Sequence, residues 1–393
     1  VGLLLVAVLV ALVARRLRLP YTVGLVITGV GLALFHVNTG LTLTRSLVYD
    51  SLLPPLLFEA ALSLHWQELK RDALPITLLS TLGLVVSALV VAAGLAEFAR
   101  WDFRYALVFG VLIAATDPVS VIALFKEIRI VGRLRLLVEA ESLFNDGVAA
   151  VLFALALDWA MAPHGVGVGT GQVGRELATT VLGGFGVGAL AGGLAIALAG
   201  RTEDALVETT LTTIAAYGSF LAAEHFHASG VLATVTAGLV MGNIGVLRGD
   251  GQNVLSQRGR EVVLAFWEFA AFVANSLVFL LIGLRVALIP FKALGLIGLT
   301  LTVVLTLLGR LLAVYPLCGL LARTRVRVPR PFQHVLFWGG LRGALGLALA
   351  LSLPQGMPYR DEIVIASFGI VAFSSIVQGI TMPWLLKRLG LLP

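Results

Sequence analysis

Thirteen apolar stretches, the second and ninth of them short for a bilayer, run along a chain of 393 residues with only short charged or Gly/Pro-rich breaks between them. They lie at about 1–17, 20–36, 46–64, 73–96, 104–126, 134–158, 174–200, 205–224, 229–245, 260–284, 291–319, 332–353 and 362–386. A hydrocarbon slab offers no water to exposed peptide groups, so such a chain folds as helices packed side by side. The composition is 59% hydrophobic and 13% charged with mean hydropathy +0.99, which excludes a water-soluble globular domain. The reading is an all-α polytopic membrane protein of about 13 transmembrane helices. Its net charge of +6 and pI of 9.8 come from basic loops, so no nucleic acid partner is expected. The single cysteine, Cys318, excludes an intramolecular disulfide and reads as a small apolar helix residue. The chain opens on Val1, which suggests that an initiating segment precedes it. Residues 1–14 read as a span and not a signal peptide, because the basic cluster follows them.

Charge sets the orientation. With the N-terminus outside, 19 of the 28 Lys and Arg residues fall in inner loops and 7 in outer loops, leaving Arg310 and Arg342 inside spans. That bias predicts an outer N-terminus and a cytoplasmic C-terminus. Thirteen spans divide as six, one and six, with helices 1–6 matching 8–13 in inverted topology, a pattern of secondary transporters. The matching pair is then helices 5 and 12, and both carry helix breakers. Pro118 in Thr116-Asp117-Pro118 lacks a backbone donor and frees a carbonyl one turn back. Gly339, Gly340, Gly343 and Gly346 in helix 12 fit either a break or close packing. The glycines from Gly183 to Gly193 in helix 7 read as packing.

Charges at mid-membrane cost a few kcal/mol each, so each needs a partner or a task. Asp117 in helix 5, Glu141 and Asp146 in helix 6 and Arg342 in helix 12 stand near helix centres, with Glu59 in helix 3 nearer the inner end. Oxygen ligands of this kind suit hard cations. Ser142 and Asp146 share one face of helix 6, and Glu141 and Asn145 share the adjoining stripe. One stripe can face an ion and the other Arg342. Two carboxylates with Asn145, Ser142, Thr116 and freed carbonyls can replace a cation's hydration shell. The alternative is an ion-pair network that only ties helices together, and it is the stronger reading for Glu141 with Arg342. Glu59, beside Pro54-Pro55, stands open between structure and ion pathway. Glu139, Glu224, Glu268 and Arg310 read as helix-end or snorkelling residues. His36, His65, His164, His225, His227 and His334 read as ordinary polar residues.

At these positions the chain resembles the monovalent cation:proton antiporters of the NhaP/NHE type. The matching stretches are Phe58-Glu59-Ala60, Ala115-Thr116-Asp117-Pro118-Val119, Glu141-Ser142-Leu143-Phe144-Asn145-Asp146-Gly147, Asn275-Ser276-Leu277-Val278-Phe279 and Gly340-Leu341-Arg342-Gly343-Ala344. The resemblance implies exchange of sodium, with lithium as a further candidate, for protons, with no cofactor and no enzymatic activity. It implies that Asp146 binds cation and proton alternately, helped by Asp117, Ser142, the Thr116 backbone and Glu59. Asn145 would hold the Asp117 region and complete an unwound crossing of helices 5 and 12, and Glu141 would pair with Arg342. Asn145 stands where electrogenic relatives carry Asp, which implies one-for-one, electroneutral exchange. The resemblance also implies a homodimer. Its interface domain would comprise 1–72 (helices 1–3) and 161–290 (helices 7–10), and its transport core 73–160 (helices 4–6) and 291–393 (helices 11–13). The sequence ends close after helix 13, which implies no tail-based regulation and a prokaryotic source.

Other classes fit less well. Potassium/proton exchange on the same scaffold is compatible with the same ligands. A cation channel lacks support because no carbonyl-rich filter motif occurs. An intramembrane aspartyl protease would use Asp117 and Asp146 as a dyad. Its Gly-x-Gly-Asp motif is missing, since Leu143-Phe144-Asn145 precede Asp146.

Overall fold

The computed structural model describes residues 2–17, 20–36, 43–127, 130–162, 170–247, 254–291 and 294–391. Arg18, Arg129, Arg248 and Lys292, which enter the loop charge count, and His164 lie outside them. Every described element is helical. Six helices are long and apolar enough to cross a membrane: Ala73–Phe98, Arg133–Met161, Gly174–Ala199, Gln257–Val286, Gly295–Leu320 and Arg360–Arg388. Shorter apolar helices include Gly2–Ala14, Tyr21–Leu34, Phe103–Ala114 and Gly230–Val246. The chain is a multi-pass, all-helical membrane protein.

Two compact units form. The first takes Val1–Val48, Asp72–Ala162 and Asn275–Pro393, and the second Tyr49–Arg71 and Pro163–Ala274. In the second unit, Phe58 packs on Trp267 with ring centroids 4.5 Å apart. The Trp267 indole N–H donates to Thr212 Oγ1 at 2.9 Å, which satisfies its one polar atom inside an apolar core of Leu62, Ala215, Ala237 and Met241. Glu59 lies in this unit, on Leu53–Ser63, with Pro54 and Pro55 at the start of that helix, where a missing N–H costs nothing. A short helix, Trp66–Arg71, occupies the stretch between the apolar runs 46–64 and 73–96.

The first unit carries the two interrupted spans. Helix 5 is α1 (Phe103–Ala114), four non-helical residues, and α2 (Val119–Glu127). Asp102 starts α1 by accepting the Arg104 N–H at 2.9 Å. Helix 6 is α3 (Arg133–Met161), unbroken, and helix 11 is α4 (Gly295–Leu320). Helix 12 is α5 (Arg330–Trp338), a turn through 339–343, and α6 (Ala344–Leu351). Helix 13 is α7 (Arg360–Phe373), which widens into a π turn at Ser374–Gln378 and resumes as Gly379–Arg388. The four glycines of helix 12 thus flank and form a break. The interruption of helix 5 follows from Pro118, since residue 118 is the one that would donate to the carbonyl of Ala114.

Candidate cation-binding site

Breaking a helix inside a membrane protein leaves carbonyls and N–H groups without partners, and each must be satisfied from elsewhere. At helix 5, the Asn145 side chain on α3 donates to the Ala114 carbonyl at 3.3 Å and to Thr116 Oγ1 at 3.0 Å. The side-chain amide therefore stands in for the N–H that Pro118 lacks. Thr116 Oγ1 lies 3.0 Å from Ser142 Oγ, so Ala114, Thr116, Asn145 and Ser142 form one buried polar chain. Asn145 Oδ1 is buried without a hydrogen-bond partner among the described residues.

Helix 12 is held in the same manner by the helix that follows it. Gln378 Nε2, from the π turn, donates to the Trp338 carbonyl at the end of α5 at 3.0 Å. Ser374 Oγ accepts the Arg342 N–H at 3.1 Å and donates to the Val371 carbonyl at 3.1 Å. The wider π turn brings Ser374 and Gln378 onto the break together. The two breaks are joined by a peptide bond to peptide bond contact: the Asp117 N–H donates to the Leu341 carbonyl at 2.8 Å.

Asp117 sits where both second half-helices begin. Its Oδ1 accepts the Val119 N–H at 2.9 Å at the start of α2, and its carboxylate lies against Gly343 at the start of α6. Helix N-termini favour a negative charge. The close fit explains Gly343: a Cβ there would run into the Asp117 carboxylate. Asp146, one turn after Ser142 on α3, has Asp117 and Glu141 as its charged neighbours. Its side chain makes no hydrogen bond or ion pair among the described residues. The first unit thus gathers Asp117, Asp146, Ser142, Thr116 and Asn145 around one break, whereas Glu59 belongs to the second unit.

The expected Glu141–Arg342 pair is corrected. Glu141 pairs with Arg310 of α4, with Nη1 to Oε1 at 2.7 Å and Nη2 to Oε2 at 2.9 Å. Arg310 is not a snorkelling residue but is 5% exposed, and it also donates from Nε and Nη2 to the Leu336 carbonyl at 3.3 and 2.9 Å. Leu336 is near the end of α5, so Arg310 closes a second freed carbonyl while neutralising Glu141. The Arg310 Nε lies 2.7 Å from where a Cβ on Gly340 would stand, which is why that position lacks one. Arg342 is 3% exposed; its Nη1 donates to the Gly340 carbonyl at 3.0 Å and its Nε has no partner among the described residues. The signal for Arg310 was present, because it lies inside a span as Arg342 does. Gln378 and Ser374 carried none, because a π turn has no evident sequence mark.

The sodium/hydrogen exchanger transmembrane family matches residues 3–388. Among curated relatives, the Na(+)/H(+) antiporter ApNhaP of Aphanothece halophytica is 40% identical over 382 residues, spanning 95% of this chain and 70% of that protein. The low-affinity Na(+)/H(+) antiporter NhaS1 of Synechocystis is 37% identical over 386 residues, with 95% and 70% covered. In fold, the chain is similar to the sodium proton antiporter MjNhaP1 of Methanocaldococcus jannaschii at pH 8, with TM-score 0.73, 19% identity and 99% and 98% of the two chains covered. A match over nearly the whole length, on a chain whose two broken helices meet beside a pair of carboxylates, places this protein in the sodium/hydrogen exchanger family, a family of membrane transporters and not of enzymes.

Proposed function

We propose that the protein exchanges sodium for protons, one for one, through a site centred on Asp146. The observation that carries this reading is a half-buried carboxylate lacking a permanent partner among the described residues, beside Asp117 and one turn after Ser142, whose hydroxyl meets that of Thr116. A carboxylate in that setting takes either a proton or a cation, and each excludes the other. Asp117, Ser142 and Thr116 complete the oxygen set; Asn145 supports it as a neutral carbonyl cap. Family membership and the named activity of the relatives ApNhaP and NhaS1 support sodium as the cation.

The finer architecture belongs to the same proposal: thirteen spans in a six-one-six inverted repeat, with helices 5 and 12 crossing at mid-membrane. It is supported by the matched caps, Asn145 from the helix after helix 5 and Gln378 from the helix after helix 12. An outer N-terminus and cytoplasmic C-terminus rest on the loop charges. A homodimer through 1–72 and 161–290, with 73–160 and 291–393 as the transport core, rests on the resemblance. Packing within one copy follows other boundaries.

The test is purified protein in proteoliposomes with an interior pH dye and sodium, lithium or potassium gradients applied in turn. Sodium should drive proton flux, and Asp146→Asn should abolish it while the protein still folds and inserts. Normal sodium-driven flux from Asp146→Asn would remove Asp146 from the site.

A further inference from the structure

Where α4, the break in helix 12 and α7 with its π turn meet, they border a cavity of about 10 Å³, room for one water or one ion of similar size. Its polar lining is Thr306, Arg310, Arg342 and Gln378, and no acidic residue lines it among the described residues. Two guanidiniums, 5% and 3% exposed, thus border one small space. Charge does not balance there. Arg310 is neutralised by Glu141 in the bidentate pair. No carboxylate oxygen lies within 4.0 Å of Arg342 among the described residues. Asp72 and Glu139, the other carboxylates buried in this unit and bonded to arginine, are taken by Arg133 and Arg135. Asp117 gives its Oδ1 to the Val119 N–H and packs against Gly343.

Hydrogen bonding leaves the same gap. A guanidinium has five N–H donors. Arg342 commits one of them, from Nη1 to the Gly340 carbonyl, and its Nε is buried without a partner among the described residues. Leftover donors on a buried charge are costly until something both bonds and neutralises them. A water would take the donors and leave the charge, whereas an anion answers both through charge-assisted bonds. We infer that this cavity binds a small monovalent anion of chloride's size, held between Arg310 and Arg342. The Gln378 amide, which gives one N–H to the Trp338 carbonyl, has a second to give. The Thr306 hydroxyl proton is spent on the Thr302 carbonyl, so Thr306 limits the size of the cavity and adds no charge to it. The anion is a resident of the fold that supplies the negative charge Arg342 lacks, and it is independent of which cation the protein exchanges.

The test melts the purified protein at constant sodium and ionic strength while chloride is replaced stepwise by gluconate, an anion too large for the cavity. Once the site fills, the melting temperature should rise by about 2 °C for each tenfold rise in chloride. Bromide should act as chloride does. Arg342→Gln, which removes the charge, and Thr306→Leu, which fills the space, should both lose that dependence. A flat response from the wild type, or an undiminished slope in either folded variant, overturns the inference. Crystals grown in bromide and measured at the bromine absorption edge give a second readout that needs no variant. One anomalous peak is expected between the Arg310 and Arg342 guanidiniums. Density for a water there without anomalous signal overturns the inference whatever the melts show.

Discussion

Asn145 and Gln378 do the same work at two different breaks: each lends a side-chain amide to the last carbonyl of a half-helix, at 3.3 Å to Ala114 and 3.0 Å to Trp338. Both sit on the helix that follows the broken one. Replacing either with Leu leaves a buried carbonyl unpaired, which costs about 1–3 kcal/mol. Thermal melts should show a loss of that size for Asn145→Leu and for Gln378→Leu, with a weakened apparent sodium constant in both. A Gln378→Leu protein that melts and transports as wild type would show that Trp338 finds its donor elsewhere.

Glu141 and Arg310 should prove strongly coupled. Removing one partner of a buried pair strands the other charge and costs about 3–5 kcal/mol. Glu141→Gln and Arg310→Met should each destabilise the protein by that order, and the double variant by much less than their sum. Melts of the three variants form the cycle. Arg342→Met combined with Glu141→Gln should show a smaller coupling than the Glu141 and Arg310 cycle, since Glu141 bonds Arg310 and not Arg342.

Gly343→Ala should abolish exchange, because the added methyl meets the Asp117 carboxylate at the start of α6. Gly356→Ala serves as the control, as nothing lies within 4 Å of its Cβ position. Sodium-driven proton flux of the two variants in the same vesicles, normalised to inserted protein, makes the comparison. Equal flux would mean that α6 can shift away from Asp117 without cost.

Competition at Asp146 fixes a pH signature. A proton on the site blocks sodium, so acid weakens sodium binding and alkali does not. On the acidic side of the site's titration, the apparent sodium constant should rise about tenfold for each unit fall in pH, which is about 1.4 kcal/mol per unit. At saturating sodium the low-pH rate should recover toward its maximum. Sodium titrations at several pH values in proteoliposomes measure both quantities. A flat sodium constant with a falling maximal rate would place pH control outside the site.

Much of this arrangement could be read from sequence because membrane helices make buried charge and missing donors conspicuous. Pro118 announced the break in helix 5, and the spacing of Ser142, Asn145 and Asp146 put them on adjoining faces of an uninterrupted α3. Arg310 reads from sequence as a snorkelling residue because a long side chain can reach an interface, and only the folded arrangement turns it inward to Glu141. Gln378 was invisible because an amide two-thirds of the way along a helix has many partners open to it, and the π turn that aims it at Trp338 arises from packing. Helix 12 stood between two readings for a similar reason, since glycines serve a break and a tight contact equally well.

Beside the Asp117 carboxylate and the Arg310–Glu141 pair, the bonds across the two breaks come from amides, hydroxyls and peptide groups: Asn145 and Gln378, Thr116 and Ser374, and the link from Asp117 N–H to the Leu341 carbonyl. None of these donors gains or loses a proton in water at any pH a cell meets. That part of the frame is therefore deaf to the quantity that its cargo reports, and acidification reaches the breaks only through the carboxylates of Asp117 and Glu141.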